Sequence, residues 1–304
     1  MPNNRYRLRL LSLALILPFA AFAQKEDRKL TAKLTELANA FHGEVGIYVE
    51  HLKTGRFVAI NADTVFPTAS IVKVPLLVGL FDKIEKGEIK YHQPMVYRDS
   101  AKYGGSGIMQ FFKDSAATEV SVLAALMMSY SDNTTSLWNQ ALAGGGQRVN
   151  EIMAQYGFQN TRVNSRTPGR QDIWKIYGWG QTTPREMARL VKMIFKGEII
   201  SPAASDRMYR LMCRGYYDES SLSQLPPYVQ AAHKTGSVDA TRSEVVLVNA
   251  PHGDYVFHVA TKNNKDQRWA DDNEAVVLIR NVSAVIWNHF EPKSNWKPLY
   301  TVYK

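Results

Sequence analysis

Apolar residues recur with a helical period at Leu30, Leu34, Leu37 and Phe41, which predicts an amphipathic helix over residues 27–41. The period then falls to two. Val45, Ile47 and Val49 alternate with Gly46, Tyr48 and Glu50, the pattern of a strand with one buried face. Lys53-Thr54-Gly55-Arg56 turns the chain, and Phe57 to Ile60 returns it as a second strand. Ile71, Val72, Val74, Leu76, Leu77, Leu80, Phe81 and Ile84 then mark a buried helix that ends near Gly87. Pro75 inside it is expected to cost a hydrogen bond and to bend it. Tyr103 to Gly107 is a glycine-rich loop. Helices are predicted over 119–128, from Thr134 to before Gly144, over 149–156 up to Gly157, over 183–196 and over 202–212. Thr183-Pro184-Arg185-Glu186 reads as a helix start, with Thr183 the N-cap, Pro184 in the first turn and Glu186 completing a capping box. Residues 161–181 follow neither period and carry Pro168, Gly169, Gly178 and Gly180, and a loop of that length in a compact domain is usually functional. Strands return over 229–237, 244–249 and 255–261, the last two joined by Pro251-His252-Gly253-Asp254. An amphipathic helix over 273–290 closes the pattern.

Strands at both ends of the chain and helices between them predict an α+β fold. One antiparallel sheet built from both chain ends, residues 27–66 and 229–290, is flanked by terminal helices. An all-helical lobe, residues 67–228, is inserted. Residues 291–304 form a tail with no assigned role.

Composition changes this picture little. The chain has 304 residues, 45% hydrophobic and 21% charged, which suits one large or two small globular domains. Its formal net charge is +9, and Arg5, Arg7 and Arg9 supply three of those charges. After them no basic run is interleaved with aromatics, so a nucleic-acid partner is not expected. Arg5 to Arg9, the apolar run Leu10 to Phe19 and Ala21-Phe22-Ala23 read as a cleavable signal peptide, residues 1–23. The mature chain, residues 24–290 plus the tail, would then start at Gln24, secreted or periplasmic and without a stable membrane anchor. Cys213 is the sole cysteine, so no internal disulfide forms. It reads as a small buried residue near a helix end, with a reactive thiol as the lesser alternative. No metal or cofactor is implied, and a monomer is expected.

The candidate chemistry starts at Ser70-x-x-Lys73. At i and i+3 on the expected helix the hydroxyl and the amine share a face. Ser70 would lie in the first turn, among free N–H groups and the positive end of the helix dipole. A serine hydroxyl becomes nucleophilic when a base takes its proton, and a lysine whose pKa is lowered by burial or a second cation can be that base. Ser131-Asp132-Asn133 falls between two helices and Lys234-Thr235-Gly236 in a strand. Ser131 can relay a proton to a leaving nitrogen, and Asn133 can hold a substrate amide. Lys234 can anchor a carboxylate and help keep Lys73 neutral. Gly236 leaves room for a ligand against the strand. The N–H groups of Ser70 and Ser237 are candidates for an oxyanion hole. Lys53-Thr54-Gly55 repeats the K-T-G triplet before Ser70, in a hairpin turn, and is assigned no role.

S-x-x-K, S-D-N and K-T-G in this order resemble the class A serine β-lactamases and their penicillin-binding relatives. The likeness covers most of residues 27–290 and includes Phe66-Pro67 and Thr182-Thr183-Pro184. It implies a β-lactamase-like fold and a serine hydrolase acting on β-lactams. In that role Ser70 is the acylated nucleophile, Lys73 its base or proton relay and Ser131 the relay to the leaving group. Lys234, Thr235 and Ser237 form the carboxylate site. A D,D-peptidase or transpeptidase acting on peptidoglycan peptides, or a β-lactam sensor that acylates without turnover, are the alternatives. The family carries a glutamate in the long loop, within E-P-x-L-N, to activate the deacylating water. Matching Thr161-Arg162 and Thr182-Thr183-Pro184 without a gap places Thr167 at that position, beside Pro168, with Gln171 at the asparagine. Asp172 is the nearest carboxylate and a candidate substitute. Trp174, Tyr177 and Trp179 are unlike the family's loop and are expected to be packing before a substrate platform. His233 is expected to be structural before catalytic. Arg242 is a candidate carboxylate helper, with a solvated charge the expected reading.

Overall fold

The computed structural model describes residues 25–298. The expected signal peptide and the last residues of the tail lie outside the described residues. Asp27 accepts a hydrogen bond from Leu30 N and so caps α1 (Arg28–Ala40), which buries Leu30 and Leu34. Strands β1 (Lys25–Glu26), β2 (Glu44–His51) and β3 (Arg56–Ile60) follow the predicted hairpin, with Gly55 in the left-handed region its turn requires.

Phe66–Pro67 forms the short strand β4, and Lys73–Glu85 forms α2. Pro75 is the third residue of α2, where the N–H lacks a partner within the helix in any case, so the expected loss of a bond does not arise. Next come β5 (Pro94–Val96), β6 (Ala117–Glu119), α3 (Val120–Ser129), α4 (Asn133–Leu142) and α5 (Gly145–Gln155). The long loop between Thr161 and Gln181 contains β7 (Arg162–Val163), a two-turn helix α6 (Gln171–Tyr177) and the start of β8 (Gly180–Thr182). These pieces are too short for periodicity to register. After α7 (Pro184–Phe195) and α8 (Pro202–Met212), the chain forms β9 (Ala231–Val238), β10 (Thr241–Val248), β11 (Tyr255–Lys262) and α9 (Glu274–Phe290).

The main sheet has six strands in the order β1-β3-β2-β11-β10-β9, so strands from both chain ends meet where β2 pairs β11. Every pairing is antiparallel except β1 with β3. Val45, Ile47 and Val49 pack with Leu34 of α1 and Ile286 of α9 on one face. The other face of β2 was expected to meet solvent, but α7 covers it. Tyr48 joins the second core there, and Glu50 pairs with Lys192 of α7 at 2.9 Å. A buried carboxylate persists because this partner neutralises it.

The inserted lobe is not all-helical. β4, β8 and β7 form a three-stranded sheet, and β5 pairs β6. Thr183 caps α7 as expected, accepting from Glu186 N. Glu186 does not return to complete the box. Its carboxylate takes the N–H groups of Gln159, Asn160 and Thr161 and the Thr161 hydroxyl, pinning the entrance of the long loop. No helix among the described residues is long and apolar enough to cross a membrane.

Candidate active site

The turn that carries Ser70 is set by the small sheet before it. Thr68 N donates to Gly180 O of β8 at 2.9 Å, and β4 pairs β8. Ala69 then takes φ +45°, an uncommon value for a residue with a side chain, and Ala69–Val72 closes as a 3₁₀ turn. Ser70 therefore sits in this turn ahead of α2, and not in the first turn of the α-helix itself. Lys73 is the first residue of α2 and is fully buried.

Lys73 Nζ lies 2.9 Å from Ser70 Oγ and 2.9 Å from Ser131 Oγ. It donates to Asn133 Oδ1 at 3.0 Å and to the Ser131 carbonyl. Those two oxygens can only accept. The orientation of the Asn133 amide is fixed by its Nδ2 donating to Gly104 O at 3.1 Å. A neutral amine has two hydrogens for these acceptors, and its lone pair is then free for a hydroxyl proton. Burial holds Lys73 well below the usual lysine range, and the positive charge of Lys234 lowers it further. The nearby Asp132 opposes this more weakly.

The S-D-N turn owes its shape to Asp132. Its carboxylate is buried and accepts from Thr135 N at 2.8 Å and Met109 N at 2.7 Å, capping α4 and fastening the glycine-rich loop. A Cβ on Gly107 would fall 2.2 Å from Asp132 Oδ2, which is why that loop position is glycine. Asn133 N donates to Ser106 O at 3.0 Å, and Ser131 takes φ +50°, directing its hydroxyl to Lys73.

β9 brings the third motif to the same place. Lys234 is buried, and burial pushes it down to about 7, opposed by the Glu244 carboxylate. Its Nζ donates to Thr235 O at 3.0 Å. Gly236 was expected to make room for a ligand, but what it admits is the Ser70 turn. A Cβ there would lie 2.5 Å from Thr68 O and 3.1 Å from Ser70 N. The close approach sets Thr235 and Ser237 beside Ser70 along a cleft of about 850 Å³ that Ser131, Asn133 and Arg242 also line.

The remaining candidates separate. Thr167 is buried outside the cleft lining, its hydroxyl donating to Ser165 O at 3.0 Å and lying against Gly146 of α5. Asp172 does not reach the site. It lies on α6 with its side chain 90% exposed, paired with Lys175 at 2.8 Å. Gln171 is also exposed. Arg242 is not a solvated charge. It is 3% exposed, stacks on Trp269 with its guanidinium 4.5 Å from the ring centre, and donates to the carbonyls of Asp239, Thr241 and Arg268. His233 is structural, buried with Nδ1 2.9 Å from Glu244 Oε1. Cys213 caps the end of α8, half-buried, and burial pushes its thiol up, away from the reactive thiolate. Lys53-Thr54-Gly55 stays in the β2–β3 turn, outside the cleft lining.

The loop aromatics, expected to be packing before a substrate platform, divide: Tyr177 and Trp179 line the cleft, Trp179 also packing on the core, whereas Trp174 is 46% exposed outside it. Sequence reasoning missed Tyr103 and Tyr217, which complete the wall. The only available signal was an excess of aromatic residues in loops with no period.

The sequence matches the β-lactamase enzyme family over residues 29–290. It is similar to the β-lactamase VEB-1 of Pseudomonas aeruginosa, 21% identical over 88% of this chain and 93% of that protein. Among solved structures it is similar to PBP-A, with TM-score 0.78 and 26% identity over 88% of this chain and 98% of that one. A single-residue variant of PBP-A, solved as an acyl-enzyme complex with penicillin G, matches equally well. The ancestral (GNCA) class A β-lactamase shares the fold, with TM-score 0.75 and 22% identity over 86% of this chain and 100% of that one.

Proposed function

The chain belongs to the β-lactamase enzyme family, and from that premise we propose that it is a class A-type serine hydrolase that opens β-lactams through an ester on Ser70. The observation that carries this reading is the buried Lys73 amine, 2.9 Å from both the Ser70 and the Ser131 hydroxyls. Neutral Lys73 takes the Ser70 proton as Oγ bonds to the lactam carbonyl carbon. The N–H groups of Ser70 and Ser237 receive the oxyanion. The C–N bond then breaks as Ser131 gives its proton to the ring nitrogen and is reprotonated from Lys73. Lys234, Thr235 and Ser237 take the substrate carboxylate, with Arg242 adding positive charge at the same cleft, and Asn133 takes the substrate's side-chain amide. The reading includes action outside the cytoplasm, after removal of residues 1–23.

One observation favours slow release of the ester. No carboxylate of the 161–181 loop lines the cleft, since Thr167 faces α5 and Asp172 faces solvent. A PBP-A variant was solved as an acyl-enzyme with penicillin G, and a D,D-peptidase or transpeptidase, or a sensor, is the second reading. All three share the acylation step. A fluorescent penicillin is expected to label the mature protein and not Ser70→Ala, read on a denaturing gel. Equal labelling of both would refute Ser70 as nucleophile.

The carboxylate site has its own test. Lys234→Ala is expected to weaken acylation by a penicillin bearing its free carboxylate far more than by the methyl ester, because one charge-assisted contact is lost. In the unaltered protein the preference for the acid should decline as pH rises past about 7, where Lys234 loses its proton. An acid-to-ester ratio that is unchanged in Lys234→Ala would rule this site out.

A further inference from the structure

The long loop approaches the Ser70–Lys73 pair through an aromatic ring. The Trp179 ring centre is 6.0 Å from Lys73 Nζ, and the ring lines the cleft together with Ser70 and Ser131. Tyr103 meets it edge-on, with ring centres 5.4 Å apart at 71°, so the wall joins the long loop to the glycine-rich loop. Its backbone is fastened. Trp179 O accepts from Asn164 N at 2.8 Å and from Ser165 N at 3.1 Å. The next residue, Gly180, lies so close to the reacting turn that a Cβ would fall 2.7 Å from Val72 and 2.8 Å from Thr68 Oγ1. These contacts hold the chain on the C-terminal side of the Trp179 Cα, and Gly178 N donating to Trp174 O at 2.8 Å holds it on the other. The indole also packs against the lobe's core. Trp174, from the same loop, has none of these contacts with the cleft.

We propose that Trp179 is a positioning residue that seals the loop side of the Ser70–Lys73 pair against water, keeping Lys73 desolvated and shielding the Ser70 ester from hydrolysis. An apolar face at this distance excludes water that would otherwise solvate an ammonium group. The same face attracts a lysine cation, but at 6.0 Å that attraction is weaker than the desolvation of a buried amine. Opening the wall should thus favour protonated Lys73 and admit water to the ester. The shielding of the ester rests on the acyl-enzyme reading above, whereas the shielding of Lys73 does not.

The test measures two quantities on the whole mature protein. The first is the titration of Lys73 by NMR of ¹³C-labelled lysine, its signal assigned by its loss in Lys73→Arg. The second is the lifetime of the penicillin adduct by intact-mass spectrometry. Trp179→Ala is expected to raise the Lys73 titration by about one unit or more and to shorten the adduct lifetime several-fold. Trp179→Phe should restore both, and Trp174→Ala should change neither. If Trp179→Ala does not fold, Trp179→Leu, which removes most of the ring, is measured with the same signs expected. An unmoved Lys73 titration, an unmoved adduct lifetime, or equal effects from Trp174→Ala would overturn the proposal. If no adduct forms even in the unaltered protein, the acyl-enzyme reading and the ester shield fall together. The Lys73 titration still decides whether Trp179 keeps water from the amine.

Discussion

Lys73→Ala is expected to slow penicillin acylation of Ser70 by about two to four orders of magnitude, the usual cost of losing a positioned general base. The fold should survive, because α2 is held by its apolar face and by the Ser70 turn, and the Lys73 side chain makes hydrogen bonds only at its tip while its backbone N–H bonds are kept in alanine. Lys73→Arg should be nearly as slow, since a guanidinium has no lone pair to offer at any accessible pH. The pH profile of the unaltered protein follows from the same chemistry. Below its pKa Lys73 is an ammonium and cannot take a proton, so acylation falls on the acid side. Burial and the Lys234 charge lower that pKa, so the rate should persist to pH values well under the ordinary lysine range. Lys234→Ala removes the second cause and should move the acid limb upward. Rapid quench with mass detection gives the acylation rate directly. A profile in Lys73→Ala that matches the unaltered protein would assign the base elsewhere.

Turnover of a penicillin is expected to show a burst of about one equivalent, followed by a phase slower by two to four orders of magnitude than a base-assisted deacylation. In the proposed mechanism acylation has its base in Lys73. Hydrolysis of the ester needs a second base that holds a water on the ester's open face. The residue aligned with that role, Thr167, carries no carboxylate and is packed against Gly146. Asp172→Asn should leave the slow phase unchanged, because Asp172 is a surface residue paired with Lys175. Stopped-flow absorbance extrapolated to zero time gives the burst amplitude. Fast turnover without a burst would mean that another group activates water, with Glu219, Asp239 and Asp271 the carboxylates that line the cleft.

Much of the molecule was legible in the chain because the signals are local. The period of Leu30, Leu34 and Leu37 specifies α1, and the Thr183-Pro184 start and the 202–212 pattern specify α7 and α8 within a residue. The trio of motifs was likewise legible, since each needs only neighbours in sequence to define its chemistry. Once the trio was in order, the resemblance supplied the fold. Local reasoning went astray where a residue's partner is distant. Glu186 has the spacing of a capping box, but its carboxylate bonds to residues 159–161, whose five donors outweigh the single N–H of a cap.

By itself, then, the sequence determined the order of the long helices and strands, the Ser70, Ser131 and Lys234 motifs, and the lack of the expected glutamate in the long loop. These follow from periodicity and from residue identity, which tertiary contacts do not alter. Only the tertiary structure decided that Gly236 yields to the Ser70 turn, that β2 is covered on both faces, and that Arg242 is buried in the cleft. It also decided which of three loop aromatics faces Lys73. The physical reason is common to these cases. A side chain's environment is set by which surface packs onto it, and Trp179 meets Lys73 and Tyr103 only after β8 pairs with β4, across more than a hundred residues of chain.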